Sequence, residues 1–259
     1  LVEGLDSIFR MPSGCFEQTS STTYPNILAL DYLRRTDTSA PEVEAKARQY
    51  INVGYQRLIS FEVTGGGFDW FGRPPANETL TAYGLMEFED MARVHDVDPA
   101  LIRRTRDWLL SKRTRDGRWQ ADRNMLNDGL AGSVMTGDDL DLATTAYIAW
   151  AVFGTGEAKE RAQLTFDYLL AREPSTIKSP YMLALIANCI AGIDPEHKSL
   201  GEYLARLDGM KQKTEDGKQV FWKQAEGART MFYGGGQSAD IETTAMASLA
   251  LMKSGQYSA

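Results

Sequence analysis

Asp141-Leu142-Ala143-Thr144-Thr145-Ala146-Tyr147-Ile148-Ala149-Trp150-Ala151-Val152-Phe153 places apolar residues three and four apart and stops at Gly154, as a helix closed by a C-cap glycine does. The stretch is preceded by a glycine turn and an aromatic, Gly117-Arg118-Trp119, then by a polar loop. The same order occurs twice more. Gly67-Phe68 leads to Asn77-Glu78-Thr79-Leu80-Thr81-Ala82-Tyr83, and Gly217-Lys218-Gln219-Val220-Phe221-Trp222 leads to Asp240-Ile241-Glu242-Thr243-Thr244-Ala245. In each case an acid or amide (Asn77, Asp141, Asp240) stands five residues before the alanine and reads as a helix cap. Repeated units of this size indicate stacked helical hairpins, either as an open superhelix or as a closed ring.

Helical periodicity also marks segments near 26–35, 42–61, 78–94, 98–112, 157–172, 180–191, 198–212 and 240–253. Pro41 and Pro99 fall where a first helical turn accepts proline, and Gly192 and Gly255 close apolar runs. No stretch alternates with period two over strand length, so the expected class is all-α. The chain has 259 residues, 43% of them hydrophobic, and a formal charge of −7 with scattered basic residues, which argues against nucleic-acid binding. The richest apolar run, Tyr181 to Ile193, is shorter than a membrane span and reads as a buried helix. The opening Leu1-Val2-Glu3-Gly4 lacks a charged-then-apolar leader and reads as part of something longer or already processed. Two cysteines make no disulfide framework, no spacing resembles a metal site, and no cofactor is expected. Cys189 reads as a buried free thiol, and His95 and His197 as surface residues.

Met11-Pro12-Ser13-Gly14-Cys15-Phe16-Glu17-Gln18 carries the chemistry. It resembles the thioester signature Gly-Cys-x-Glu-Gln of the α2-macroglobulin and complement family. The similarity continues through Tyr24-Pro25-Asn26-Ile27-Leu28-Ala29-Leu30-Asp31-Tyr32-Leu33, Pro41-Glu42-Val43, Gly54-Tyr55-Gln56-Arg57, Leu80-Thr81-Ala82-Tyr83, Asp116-Gly117 and Ser238-Ala239-Asp240-Ile241-Glu242. On the resemblance, residues 1–259 form one thioester-containing domain of a larger protein, folded as an α/α toroid of stacked hairpins like that of terpenoid cyclases. The residues themselves support the chemistry. Positions three apart on a helical turn meet, so the Cys15 thiol and the Gln18 amide carbon can join with loss of ammonia. A nearby helix N-terminus would ease departure of the thiolate. Gly14 allows a tight approach, Phe16 is a candidate cover against water, and Glu17 completes the motif.

In hydroxyl-preferring relatives a downstream histidine forms an acyl-imidazole with the thioester. Asn127 aligns with that position, in Met125-Leu126-Asn127-Asp128-Gly129, and a shift of register would select Asn124 or Asp128 instead. Asparagine has no basic nitrogen, which implies direct attack by amines such as lysine. The family then implies a protease trap, secreted or periplasmic, that captures proteases or other amine-bearing macromolecules once and is no turnover enzyme. Its expected partners also include neighbouring macroglobulin-type domains of the parent, with no nucleic acid and no membrane span. Phe16 in place of the vertebrate glycine, with so few cysteines, leans towards a bacterial member. The competing reading is an α/α-toroid enzyme, a terpene cyclase or glycosidase using the acids Asp138, Asp139 and Asp141.

Overall fold

The computed structural model describes residues 9–38, 40–121, 137–231 and 234–255. The expected all-α class is what it shows. Nine α-helices dominate the described residues, and the only strands among them form two ribbons of two residues per strand. The chain divides into two compact units, residues 1–112 and 113–259.

The first unit holds α1 (Phe16–Arg35), α2 (Pro41–Ile59), the ribbon β1 (Glu62–Val63) with β2 (Gly67–Phe68), α3 (Glu78–Met91) and α4 (Pro99–Lys112). α1 starts ten residues earlier than its periodicity predicts and runs straight through Pro25. The run Thr19-Ser20-Ser21-Thr22-Thr23 has weak helix propensity, because such side chains compete for backbone groups. Here they bond back along the helix instead. Thr22 Oγ1 donates to the Gln18 carbonyl at 3.0 Å, Thr23 Oγ1 to the Thr19 carbonyl at 2.7 Å, and Asn26 Nδ2 to the Thr22 carbonyl at 2.6 Å. α2 approaches α1 so closely at Gly54 that a Cβ there would lie 2.2 Å from Thr23 Oγ1. Phe16, Ile27, Leu30, Ile51, Leu58, Phe68 and Phe88 are fully buried between these helices. Burial of a side chain of this size stabilises the fold by about 1.5–3 kcal/mol.

The second unit holds α5 (Gly137–Phe153), α6 (Gln163–Leu170), α7 (Pro180–Ile193), α8 (Leu200–Asp208), the ribbon β3 (Gln212–Lys213) with β4 (Val220–Phe221), and α9 (Gln237–Lys253). The helix expected over 157–172 is split into a 3₁₀ turn, Lys159–Arg161, and α6. α7 is almost wholly apolar and is buried on every face, with Asn188 donating to the Ala184 and Met246 carbonyls. It packs against α5, α8 and α9.

The sequence repeat is a repeated joint. The aromatic after each turn donates its backbone N–H to the threonine before the alanine: Phe68 to Thr81 Oγ1 at 2.8 Å, Trp119 to Thr145 Oγ1 at 3.0 Å, and Trp222 to Thr244 Oγ1 at 3.0 Å. The capping expectation holds only for Asn77, whose Oδ1 accepts from Leu80 N at 2.8 Å. Asp141 and Asp240 lie inside α5 and α9, which begin several residues earlier. They reach back to the incoming loop, accepting from Ala121 N at 2.9 Å and Gln224 N at 2.8 Å.

Candidate functional site

Cys15 is the N-cap of α1, with extended backbone, and Gln18 is the third residue of the helix. The two form a reciprocal capping box, in which the Cys15 side chain faces the Gln18 N–H while Gln18 Oε1 accepts from the Cys15 N–H at 3.2 Å. The glutamine amide is thus folded back over the cysteine on the same turn. Cys15 is half-buried and Gln18 exposed, which leaves the pair open to an incoming nucleophile. Gly14 permits this fold-back. Its φ is +87°, and a Cβ there would stand 2.0 Å from Gln18 Oε1 and 2.9 Å from Gln18 Cδ. The positive end of the α1 dipole lies at the cysteine and favours negative charge on a departing sulfur.

Two neighbours, Arg57 and Trp70, hold this turn. Arg57, on α2, donates to the Gly14 carbonyl from Nε at 3.1 Å and from Nη2 at 2.6 Å, and from Nε to Thr19 Oγ1 at 3.2 Å. The Trp70 carbonyl accepts from the Phe16 N–H at 2.9 Å, which fixes one of the free donors of the first turn. Trp70 Nε1 donates to Glu17 Oε2 at 3.2 Å, so Glu17 ties the helix start to the segment after β2. Phe16 differs from expectation. Its ring is fully buried against Phe68, 5.1 Å between centroids, and Phe61, 6.1 Å, over Gly84, whose Cβ would meet Phe16 Cζ at 2.7 Å. It anchors α1 in the core and forms no cover over the Cys15–Gln18 pair.

An acidic seam between α1 and α3 is absent from the sequence reading. Glu87 is fully buried, with the Ser20 hydroxyl of α1 beside its carboxyl. Burial pushes its carboxyl up to about 8, with Asp90 adding to the shift and Ser20 opposing it. Tyr24 donates to Asp90 Oδ2 at 2.6 Å, and burial likewise raises the Tyr24 and Tyr83 phenols. Its only signal in the sequence was Glu87 on the apolar face of a helix. Arg57 has no signal in the sequence beyond its place in the resembling stretch Gly54-Tyr55-Gln56-Arg57.

The other expected residues fall as follows. Asn127, with Asn124 and Asp128, lies outside the described residues. His95 and His197 are half-buried: one stacks edge-on to Tyr55 at 5.4 Å, and the other accepts from Ser199 N at 3.2 Å. Cys189 is buried in α7. Two of the three rival acids are already engaged, Asp139 by Arg172 at 2.7 Å and Asp141 by Ala121 N, with Arg118 3.7 Å away. Among the described residues no group of His, Cys, Asp or Glu could hold a metal ion, and no helix is long and apolar enough to cross a membrane.

Comparison with known proteins shows the family. A family model described as "A-macroglobulin TED domain" matches residues 1–259. The chain belongs to that family. Thioester-containing protein 1 allele S1 of Anopheles gambiae is 26% identical to this TED domain over 261 residues, 99% of the chain and 18% of that protein. Ovostatin of Gallus gallus is 26% identical over 260 residues, 97% of the chain and 17% of that protein. Alpha-2-macroglobulin-like protein 1 of Mus musculus is 28% identical over 235 residues, 88% of the chain and 16% of that protein. The TED domain therefore spans less than a fifth of the length of these relatives. All three are animal proteins, so a bacterial affinity rests on Phe16 and the scarcity of cysteines alone. The family membership does not favour the toroid-enzyme reading.

Proposed function

We propose that Cys15 and Gln18 form an internal thioester, and that the protein containing this domain uses it to capture amine-bearing macromolecules, proteases among them. The observation that carries the reading is the Gln18 amide folded onto Cys15 in a space that only glycine at position 14 leaves open. An amine attacks the Gln18 carbonyl carbon, the Cys15 thiolate departs, and an amide remains. The bond is spent in the act, so each domain works once. Residues 1–259 act together as one thioester domain, a role supported by the reach of the family match. The parent is extracytoplasmic, secreted or periplasmic, and its macroglobulin-type domains are the neighbours of this one.

The test is intact mass. A protein carrying the bond is lighter by one ammonia and takes up labelled methylamine once, at Gln18. A full-mass protein that never takes up methylamine, even when freshly made in its parent, removes the proposal.

Selectivity for amines over hydroxyls is assigned to Asn127. Without a histidine relay no base activates a hydroxyl at neutral pH, whereas an unprotonated lysine needs none. Asn127→His is expected to raise labelling by glycerol by about 10²-fold or more, since general base help contributes about 10²–10⁴-fold. Equal glycerol labelling in the two forms would show that position 127 does not select.

A further inference from the structure

The arrangement behind the Cys15–Gln18 turn has a directionality that holding the loop in place does not require. Gln18 Oε1, the atom that becomes the thioester carbonyl oxygen, receives the Cys15 N–H at 3.2 Å and sits in the hollow where a Gly14 side chain would be. The other end of that same peptide group, the Gly14 carbonyl, receives two hydrogen bonds from one guanidinium, at 2.6 and 3.1 Å. The guanidinium is itself fixed by Thr19 Oγ1 at 3.2 Å and lies over the Phe61 ring, 5.7 Å from its centroid. A cation on a peptide oxygen draws electron density along the peptide and makes its N–H a stronger donor, since hydrogen bonds in a chain polarise one another.

We infer that the Cys15 backbone N–H is the oxyanion donor for Gln18 and that Arg57, acting through the Gly14–Cys15 peptide, is the positioning residue that charges it. The inference rests on the thioester reading and concerns how fast the bond forms and breaks. When an amine nitrogen attacks Gln18 Cδ, the carbonyl π pair moves onto Oε1 and a C–N bond forms. On collapse that pair returns, the C–S bond breaks with its electrons on Cys15 Sγ, and the surplus proton of the amine passes to the thiolate or to water. Nothing is oxidised or reduced. Formation of the bond runs through the same oxyanion, with the thiol attacking and ammonia leaving. The negative charge on Oε1 exists only in these intermediates, so a donor aimed at it lowers the barrier more than it stabilises the resting state.

The experiment uses the whole parent protein. Intact mass and methylamine uptake by the unsubstituted protein come first. If both are negative, the thioester reading falls by itself, whatever Arg57 does. With the thioester present, the rate constant for methylamine-driven thiol release is measured across a pH series for Arg57→Gln, Arg57→Lys and Arg57→Ala. Removing a direct oxyanion donor costs about 10²–10³-fold, and Arg57 acts one peptide away, so the neutral variants should slow release by about tenfold at every pH. The lysine variant should recover part of that loss. Millimolar guanidinium ion should speed the alanine variant and leave the unsubstituted protein unchanged, a rescue that a packing role would not show. Neutral variants within about twofold of the unsubstituted rate overturn the inference. So does a loss that neither lysine nor guanidinium relieves. If the alanine variant fails to fold, the glutamine and lysine variants decide. If neutral variants make no thioester, the fraction formed is compared instead: more in the lysine than in the glutamine variant supports the inference, and equal fractions overturn it.

Discussion

The two cysteines of the chain are the same chemical group in opposite surroundings. Cys15 caps the N-terminus of α1, half-exposed, with a glutamine amide three residues on and a glycine before it to make room. Cys189 sits inside α7, fully buried among apolar side chains, and burial pushes its thiol up. A thiolate is the nucleophile and the leaving group, so a thiol whose burial disfavours the charge, as at Cys189, is poorly suited to acyl transfer. On the proposed function, α1 carries the chemistry at its open end and α7 carries none. What distinguishes Cys15 is its place at the start of a helix and the glutamine one turn ahead.

The largest effect that would break this contrast is in uptake. Cys15→Ala should abolish methylamine incorporation, while Cys189→Ala should leave it at the unsubstituted level. Quantitative labelling reads both, and any uptake at Gln18 without Cys15 would separate the reactivity from the cysteine. Gly14→Ala follows. The left-handed backbone alone disfavours alanine by about 1 kcal/mol, and the added Cβ collides with the Gln18 amide. The thioester fraction, read by intact mass, should fall by at least about tenfold while helix content by circular dichroism is retained. A Gly14→Ala protein with a full complement of thioester would mean that the fold-back at Gly14 is not the reacting geometry.

The smallest effect sharpens the setting of α1. In the native protein Glu87 keeps its proton up to about pH 8, whereas the same carboxyl in the unfolded chain releases it near its ordinary value of 4.5. Between these values the native state binds the extra proton, so stability falls as pH rises through that window and levels off above it. Glu87→Gln removes the titration. Its melting temperature should exceed that of the unsubstituted protein by ~5 °C or more at pH 8 and differ less near pH 5. Parallel melting curves for the two proteins across pH 5–8 would show that Glu87 ionises normally.

Much of this was legible without coordinates. The helices with clean periodicity and a proline or glycine at their ends, α2, α4 and α7, lie where the pattern puts them, because propensity, capping and burial agree locally. α1 was legible only from residue 26 on. Its first turns carry a Thr-Ser run and Pro25, and what pins their start comes from distant residues, the Trp70 carbonyl and the Arg57 guanidinium. Asp141 and Asp240 show the same limit. Their spacing was plain, but whether an acid caps a helix or reaches back to a loop depends on where the helix begins.

The sequence by itself determined the helical class, the threefold recurrence of a glycine turn, an aromatic and a Thr-Ala helix, and the proposal that Cys15 pairs with Gln18, since periodicity, repetition and i, i+3 spacing are properties of a single strand of text. Only the tertiary structure decided which way Phe16 points, that Arg57 stands behind the Gly14 carbonyl, and that Glu87 lies fully buried. Each of these depends on contacts between residues dozens of positions apart. Burial and hydrogen-bond direction are set by what the rest of the chain brings alongside, and no local pattern encodes that.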